Sequence, residues 1–245
     1  MKKFFTTEFY RRNPHVVRAL FLPAVLIAFF ALERLVIHET YFVTYTPLDD
    51  VIPFLPVFVI PYCLWHPALF ALGVHHMVRD AAAFRRYIGA LSLGLFSTML
   101  FCALFPNGQN LRPVLEPPYN FFTWLINGIY RVDTNTNVLP SMHIIGLMVI
   151  MFGLFDSKYT RKKRFIIPSA VVCALIAAST VLIKQHSILD VYAGFAVGAV
   201  ICVIVYVFIR KAQNGEPAKI NLNRSRRGNH RVAARFKHRP YDSPR

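Results

Sequence analysis

Six long apolar runs, broken by short polar segments, constrain this chain more than any other feature. They cover about residues 16–37, 52–77, 87–105, 140–155, 165–183 and 186–209. An α-helix needs about 20 apolar residues to cross the hydrocarbon core of a bilayer. Inside that core the backbone must satisfy its own polar groups, so runs of this kind fold as helices. The chain is 55% hydrophobic and only 16% charged, which fits a polytopic membrane protein and not a soluble domain. The expected fold class is therefore all-α, a membrane helical bundle with six transmembrane spans. The first run is too long for a signal peptide and reads as a retained span. The second carries Pro53, Pro56, Pro61 and Pro67 and is expected to kink or to begin at the interface. The expected organisation is an N-terminal segment at 1–15, a membrane domain at 16–209 and a basic, disordered tail at 210–245.

The formal net charge is +16, and the cations are unevenly placed. Lys2, Lys3, Arg11 and Arg12 precede the first run, and a basic connection at 79–86 separates the second from the third. Lys158 and the Arg161, Lys162, Lys163, Arg164 cluster separate the fourth from the fifth, and the tail is basic throughout. Six spans put all four segments on one side, which the positive-inside rule makes cytoplasmic, both termini included. The acidic connection at 39–50, the long loop at 106–139 and the turn at 184–186 then face outward. Within the loop, the aromatic stretch 119–130 reads as a helix lying in the interface. The tail lacks a folded nucleic-acid module, so its expected partner is the anionic cytoplasmic leaflet, with no nucleic acid. Cys63, Cys102, Cys173 and Cys202 have neither zinc nor redox spacing and read as small buried hydrophobes. His75 and His76 are adjacent, and neighbours on a helix do not face one ligand.

The same topology gathers Arg112, Ser141, His143, Lys184, His186 and Asp190 at one membrane surface. His186 and Asp190 are four apart and share a helix face. A carboxylate behind a histidine orients the ring and stabilises its positive charge. Taken alone, the pair also reads as a hydrogen-bonded closure of a helix end. Pro140 suits a first helical position, and the amides beyond it favour an anion. Arginine matches phosphate oxygens in a fork, and lysine adds a point charge. One histidine can attack phosphorus while the other protonates the leaving oxygen. No carboxylate cluster suggests a metal, so no cofactor is expected and side chains must supply the cations.

Leu111-Arg112-Pro113, Pro140-Ser141-Met142-His143 and His186-Ser187-Ile188-Leu189-Asp190 occur in this order. Together they resemble the three signatures of the type-2 phosphatidic acid phosphatase family, relatives of the vanadium haloperoxidases. The resemblance spans about residues 50–210. It implies His186 as nucleophile through a phosphohistidine, Asp190 as the group that orients it, and His143 as general acid and then base. Arg112 and Ser141 would hold phosphate oxygens. Two family cations are absent: Phe105 stands at the lysine of the first signature, and Thr180 at the arginine of the third. Lys184 is the candidate substitute. The function so implied is a metal-independent lipid phosphate phosphohydrolase at the outer leaflet. The alternatives are a headgroup phosphotransferase, as in inositolphosphoceramide and sphingomyelin synthases, and a non-catalytic lipid-binding protein.

Overall fold

The computed structural model describes residues 14–35 and 40–210. Seven helices organise them: α1 (Phe21–Leu35), α2 (Trp65–Arg79), α3 (Ala81–Leu104), α4 (Phe121–Val132), α5 (Met142–Asp156), α6 (Lys163–Leu182) and α7 (Ile188–Cys202). Short helical turns extend α2 backward to Pro56 and α7 forward to Ile209. The chain is mostly helical, and four helices are long and apolar enough to cross a membrane: Pro56–Arg79, Ala81–Leu104, Lys163–Leu182 and Ile188–Ile209. This is an integral membrane protein. The other two expected runs form shorter apolar helices, Val16–Leu32 and Met142–Asp156. At 1.5 Å per residue, the 15 residues of α5 reach about 22 Å against roughly 30 Å of hydrocarbon. Most of the 1–15 segment and the tail beyond Arg210 lie outside the described residues.

α5 sits at the centre because its neighbours meet it through glycine. On α7, a Cβ at Gly194 would lie 2.8 Å from Ile144 Cβ and 2.9 Å from the Ser141 carbonyl, and one at Gly198 would lie 3.0 Å from Met148 Cγ. Gly194 and Gly198 are one turn apart, a small-residue stripe that lets two membrane helices approach closely. On α5 itself, a Cβ at Gly146 would meet the Trp65 indole at 2.9 Å, so α2 lies against the same helix. Ile144, Ile145 and Val149 are fully buried there. Phe96, Leu100, Val171, Val200 and Phe208 stay exposed, as side chains facing lipid do. Cys63 is exposed as well, unlike the other three cysteines; the expectation of four buried cysteines fails there because the residue lies on the outer side of the turn before α2.

The connections at one end of the bundle are tied to each other. A two-residue strand β1 (Phe42–Val43) pairs in parallel with β2 (Asn107–Gly108), a small departure from an all-helical chain. Gly108 is obligatory, since a Cβ would sit 2.7 Å from the Tyr41 ring and 2.8 Å from the Asn135 carbonyl. Asn107 Oδ1 accepts the Leu139 amide at 2.8 Å, which closes the long loop onto the approach to α5.

Candidate active site

The site is built where α5 and α7 begin. Ser187 caps α7: its hydroxyl accepts the Asp190 amide at 3.4 Å, and Asp190 Oδ2 accepts the Ser187 amide at 2.9 Å. This reciprocal capping box follows from the Ser-x-x-Asp spacing. His186 therefore precedes the helix instead of lying in it. The same Oδ2 still faces His186 Nδ1 at 3.3 Å. Helix closure and ring orientation are one interaction, made by a single buried carboxylate oxygen.

His143, the second residue of α5, places Nδ1 3.1 Å from His186 Nε2. An ionised carboxylate only accepts, so His186 carries its proton on Nδ1 and presents a lone pair at Nε2. His143 then donates from Nδ1 to that lone pair. Trp65 and Tyr62 pack on His143 with ring centroids 4.6 and 4.8 Å away, and the Trp65 indole donates to the His143 carbonyl at 3.1 Å. Ser141 is the N-cap, so Pro140 stands one residue outside the helix and not at its first position. Ser141 donates its amide to the Asp190 carbonyl at 3.1 Å, which locks the two helix starts together. Its hydroxyl is buried and has no hydrogen-bond partner.

Lys184 requires a correction. Its backbone adopts φ 55°. The Lys184 amide donates to Val181 and the Gln185 amide to Thr180. This is the helix-ending pattern that usually places glycine at the left-handed position. Left-handed backbone costs a residue with a Cβ roughly 1–2 kcal/mol. The side chain offsets it: Nζ donates to the carbonyls of Asp49 at 2.7 Å and Ile52 at 2.6 Å. The turn sends the ammonium into the first connection, so Lys184 does not replace a missing phosphate cation. Asp49 in turn caps α7 from outside, its Oδ1 accepting the Ile188 amide at 2.8 Å.

Arg112 is held by α4 and the residues that follow it. Its Nη2 donates to Thr134 at 2.6 Å, its Nη1 to Tyr130 at 3.4 Å, and the guanidinium stacks 4.4 Å over the Tyr130 ring. α4 starts at the Asn120 cap, buries Ile126, leaves Phe121 and Trp124 exposed, and sends the Tyr130 hydroxyl to the Ile183 carbonyl. Burial raises the Tyr130 hydroxyl above its ordinary value and Arg112 pulls it partly back, so it stays a donor. Gln109 Nε2 donates to the Lys184 carbonyl at 2.9 Å, and its Oε1 accepts the Leu111 amide, so one side chain links the Arg112 segment to the histidine turn. Neutral side chains stand at the positions of both absent cations. Phe105 packs against Phe42 and Phe101, and Thr180 is buried on α6 with its hydroxyl on the Ala177 carbonyl.

Three residues joined this site without any warning in local spacing. Gln185 Nε2 donates to Asp133 Oδ2 at 2.8 Å and to the Tyr62 hydroxyl at 3.2 Å, and Tyr62 also reaches Asp133 at 3.3 Å. Among the described residues, no group of three or more His, Cys, Asp or Glu could hold a metal ion.

A family model described as the PAP2 superfamily matches residues 93–214, which include Arg112, Ser141, His143, His186 and Asp190. The chain belongs to the PAP2 superfamily. Its chemistry is that of lipid phosphoesterases of the phosphatase and phosphotransferase type. Searches of curated proteins and of solved structures return no match. Within the matched residues, α5 and the turn before α7 supply both histidines and Lys184, while Asp49, Tyr62 and Trp65 act from outside them.

Proposed function

We propose that this protein is a metal-independent lipid phosphate phosphohydrolase acting through a phosphohistidine. The observation that carries this reading is the His143–His186–Asp190 chain of contacts beside the unpartnered Ser141 hydroxyl. His186 Nε2 attacks phosphorus; the N–P bond forms, the P–O bond to the lipid alcohol breaks, and the electron pair leaves on the alcohol oxygen. His143 gives that oxygen the proton it directs at His186 in the free protein. Water then attacks phosphorus and gives its proton to His143, and the N–P electron pair returns to Nε2. Asp190 supports the charge on His186 while the N–P bond exists. Ser141, Arg112 and the amides of the first α5 turn bind the phosphoryl oxygens. The proposed topology has six spans, with α1 and α5 completing the four longer helices. Both termini are cytoplasmic, and the histidines face the outer leaflet.

One observation favours a second reading, transfer of a phospho-headgroup to a lipid alcohol. Lys184 is committed to backbone carbonyls, and Phe105 and Thr180 are neutral, so few cations serve the anion. A diester carries one negative charge where a monoester can carry two.

The test is single-turnover trapping with lipid labelled at phosphorus. Wild-type protein is expected to form an acid-labile, base-stable phosphoenzyme, to keep turning over in chelator and to be inhibited by vanadate, which mimics five-coordinate phosphorus. His186→Ala protein should form none. Full turnover by His186→Ala would refute the mechanism. Label recovered in a second lipid, instead of as free phosphate, would select the transferase.

A further inference from the structure

Gln185 is the residue after the Lys184 clip and before the nucleophile. Its side chain is buried, with 2% of the residue exposed. The orientation of its amide is determined chemically. The atom 2.8 Å from Asp133 Oδ2 faces a group that only accepts, so that atom is the nitrogen. The nitrogen's two protons are then used, one on Asp133 and one on the Tyr62 hydroxyl at 3.2 Å. Oε1 is left, buried and without a hydrogen-bond partner. It can only accept, so phosphate oxygens do not suit it. A hydroxyl does.

Tyr62 links this side chain to His143. The Tyr62 ring packs on His143, the proposed donor to the leaving alcohol, and the Tyr62 hydroxyl touches the Gln185 amide. Gln185 therefore lies one side chain away from His143 and next to His186 in the chain. Asp133, an acceptor too, holds the amide from behind. We propose that Gln185 Oε1 accepts a hydrogen bond from a second hydroxyl on the leaving alcohol, so that the preferred substrates are lipid phosphoesters whose alcohol carries a free hydroxyl next to the ester carbon. This rests on the phosphoesterase reading above. Gln185 acts here as a specificity residue that touches substrate, while Tyr62 and Asp133 hold its amide in place.

The experiment uses two lipids that differ by one oxygen. They are 1-acylglycerol 3-phosphate, with a free 2-hydroxyl, and its 2-deoxy counterpart, 3-acyloxypropyl phosphate. Release of phosphate from each is measured with full-length protein in mixed micelles. A buried acceptor left without its partner discriminates strongly, so wild type should favour the hydroxylated lipid roughly ten- to a hundredfold in kcat/KM. Gln185→Met should bring that ratio to within about threefold, whatever it does to the absolute rates. The wild-type ratio tests the idea even if the variant does not fold. Equal kcat/KM for the two lipids in wild type would overturn this inference and leave the phosphoesterase reading standing. Release from neither lipid, with no phosphoenzyme formed, would overturn both. A ratio unchanged by Gln185→Met would overturn the assignment to Gln185.

Discussion

The two ends of α5 handle charge in opposite ways. At its C-terminal end Asp156 meets cations directly: Arg86 Nε lies 2.8 Å from Oδ2 and Arg210 Nη1 3.3 Å from Oδ1. Nearby, Asp80 Oδ2 accepts the Ser157 hydroxyl at 2.7 Å. At its N-terminal end the ammonium of Lys184 bonds backbone carbonyls, and the carboxylate of Asp190 bonds a histidine and an amide. Side-chain charge at the Asp156 end neutralises side-chain charge and joins α3, α5 and the end of the α7 span. At the histidine end the charged groups shape the backbone, and Ser141 Oγ and Gln185 Oε1, on residues close to the two histidines in the chain, are left with unused capacity. One helix thus carries a structural lock at one end and the proposed reactive centre at the other.

This contrast can be broken or sharpened by substitution. The largest effect is expected from Asp190→Asn, which removes the counter-charge behind His186. Turnover should fall about a thousandfold to ten-thousandfold, while thermal unfolding in detergent moves little because the amide oxygen can still cap α7. A fall in stability as steep as the fall in rate would mean that Asp190 serves only the helix. Next comes Asp156→Ala. It removes the carboxylate that faces buried Arg86, and losing one partner of a buried pair typically costs about 3–5 kcal/mol. Denaturation should register that cost, and the surviving folded protein should keep its kcat; a selective loss of kcat with unchanged stability would erase the distinction between the ends.

Lys184→Met is expected to cost roughly 2–4 kcal/mol of stability, since two charge-assisted hydrogen bonds go and two carbonyls are left. Lys184→Gly should recover about 1 kcal/mol of this by easing the left-handed backbone. A Lys184→Met protein with native stability but much weaker vanadate inhibition would return the lysine to the anion. The smallest effect is at Asp80. Burial raises its carboxyl, but the Ala83 amide and the Ser157 hydroxyl outweigh that, and the net shift is downward. A depressed carboxyl adds stability above its unfolded pKa and loses it as pH falls through the folded one. Asp80→Asn keeps a cap and loses only the charge at the helix start, so it should cost about 0.5 kcal/mol near neutral pH. The gap to wild type should close in acid, as pH-dependent unfolding curves would register.

What the sequence made legible was the chemistry with short spacing. Ser141 and His143 lie two apart and His186 and Asp190 four apart, so one helix start each sufficed to propose them. The apolar runs likewise located the helices, because burial in lipid leaves a continuous hydrophobic signal. Lys184 was misread since its direction depends on a left-handed backbone and on carbonyls 132 and 135 residues away. Tyr62, Asp133 and Gln185 were illegible for the same reason: their meeting is a product of tertiary packing, and none carries a motif. Asp49 looked like one more acidic loop residue, and only the α7 amide that it accepts gives it a purpose.

The Lys184 clip also has a consequence in time. Its partner carbonyl on Asp49 is made 135 residues earlier. At synthesis rates of about 5–20 residues per second, the first connection exists for on the order of ten seconds before the ammonium that fastens it. The early helices must therefore be held in the membrane with their first connection unfastened, and the ribosome has to deliver the α6–α7 hairpin before the proposed nucleophile exists. The proposed reactive centre is complete only once His186 and Asp190 are made, so a nascent chain stalled before Lys184 should form no phosphoenzyme.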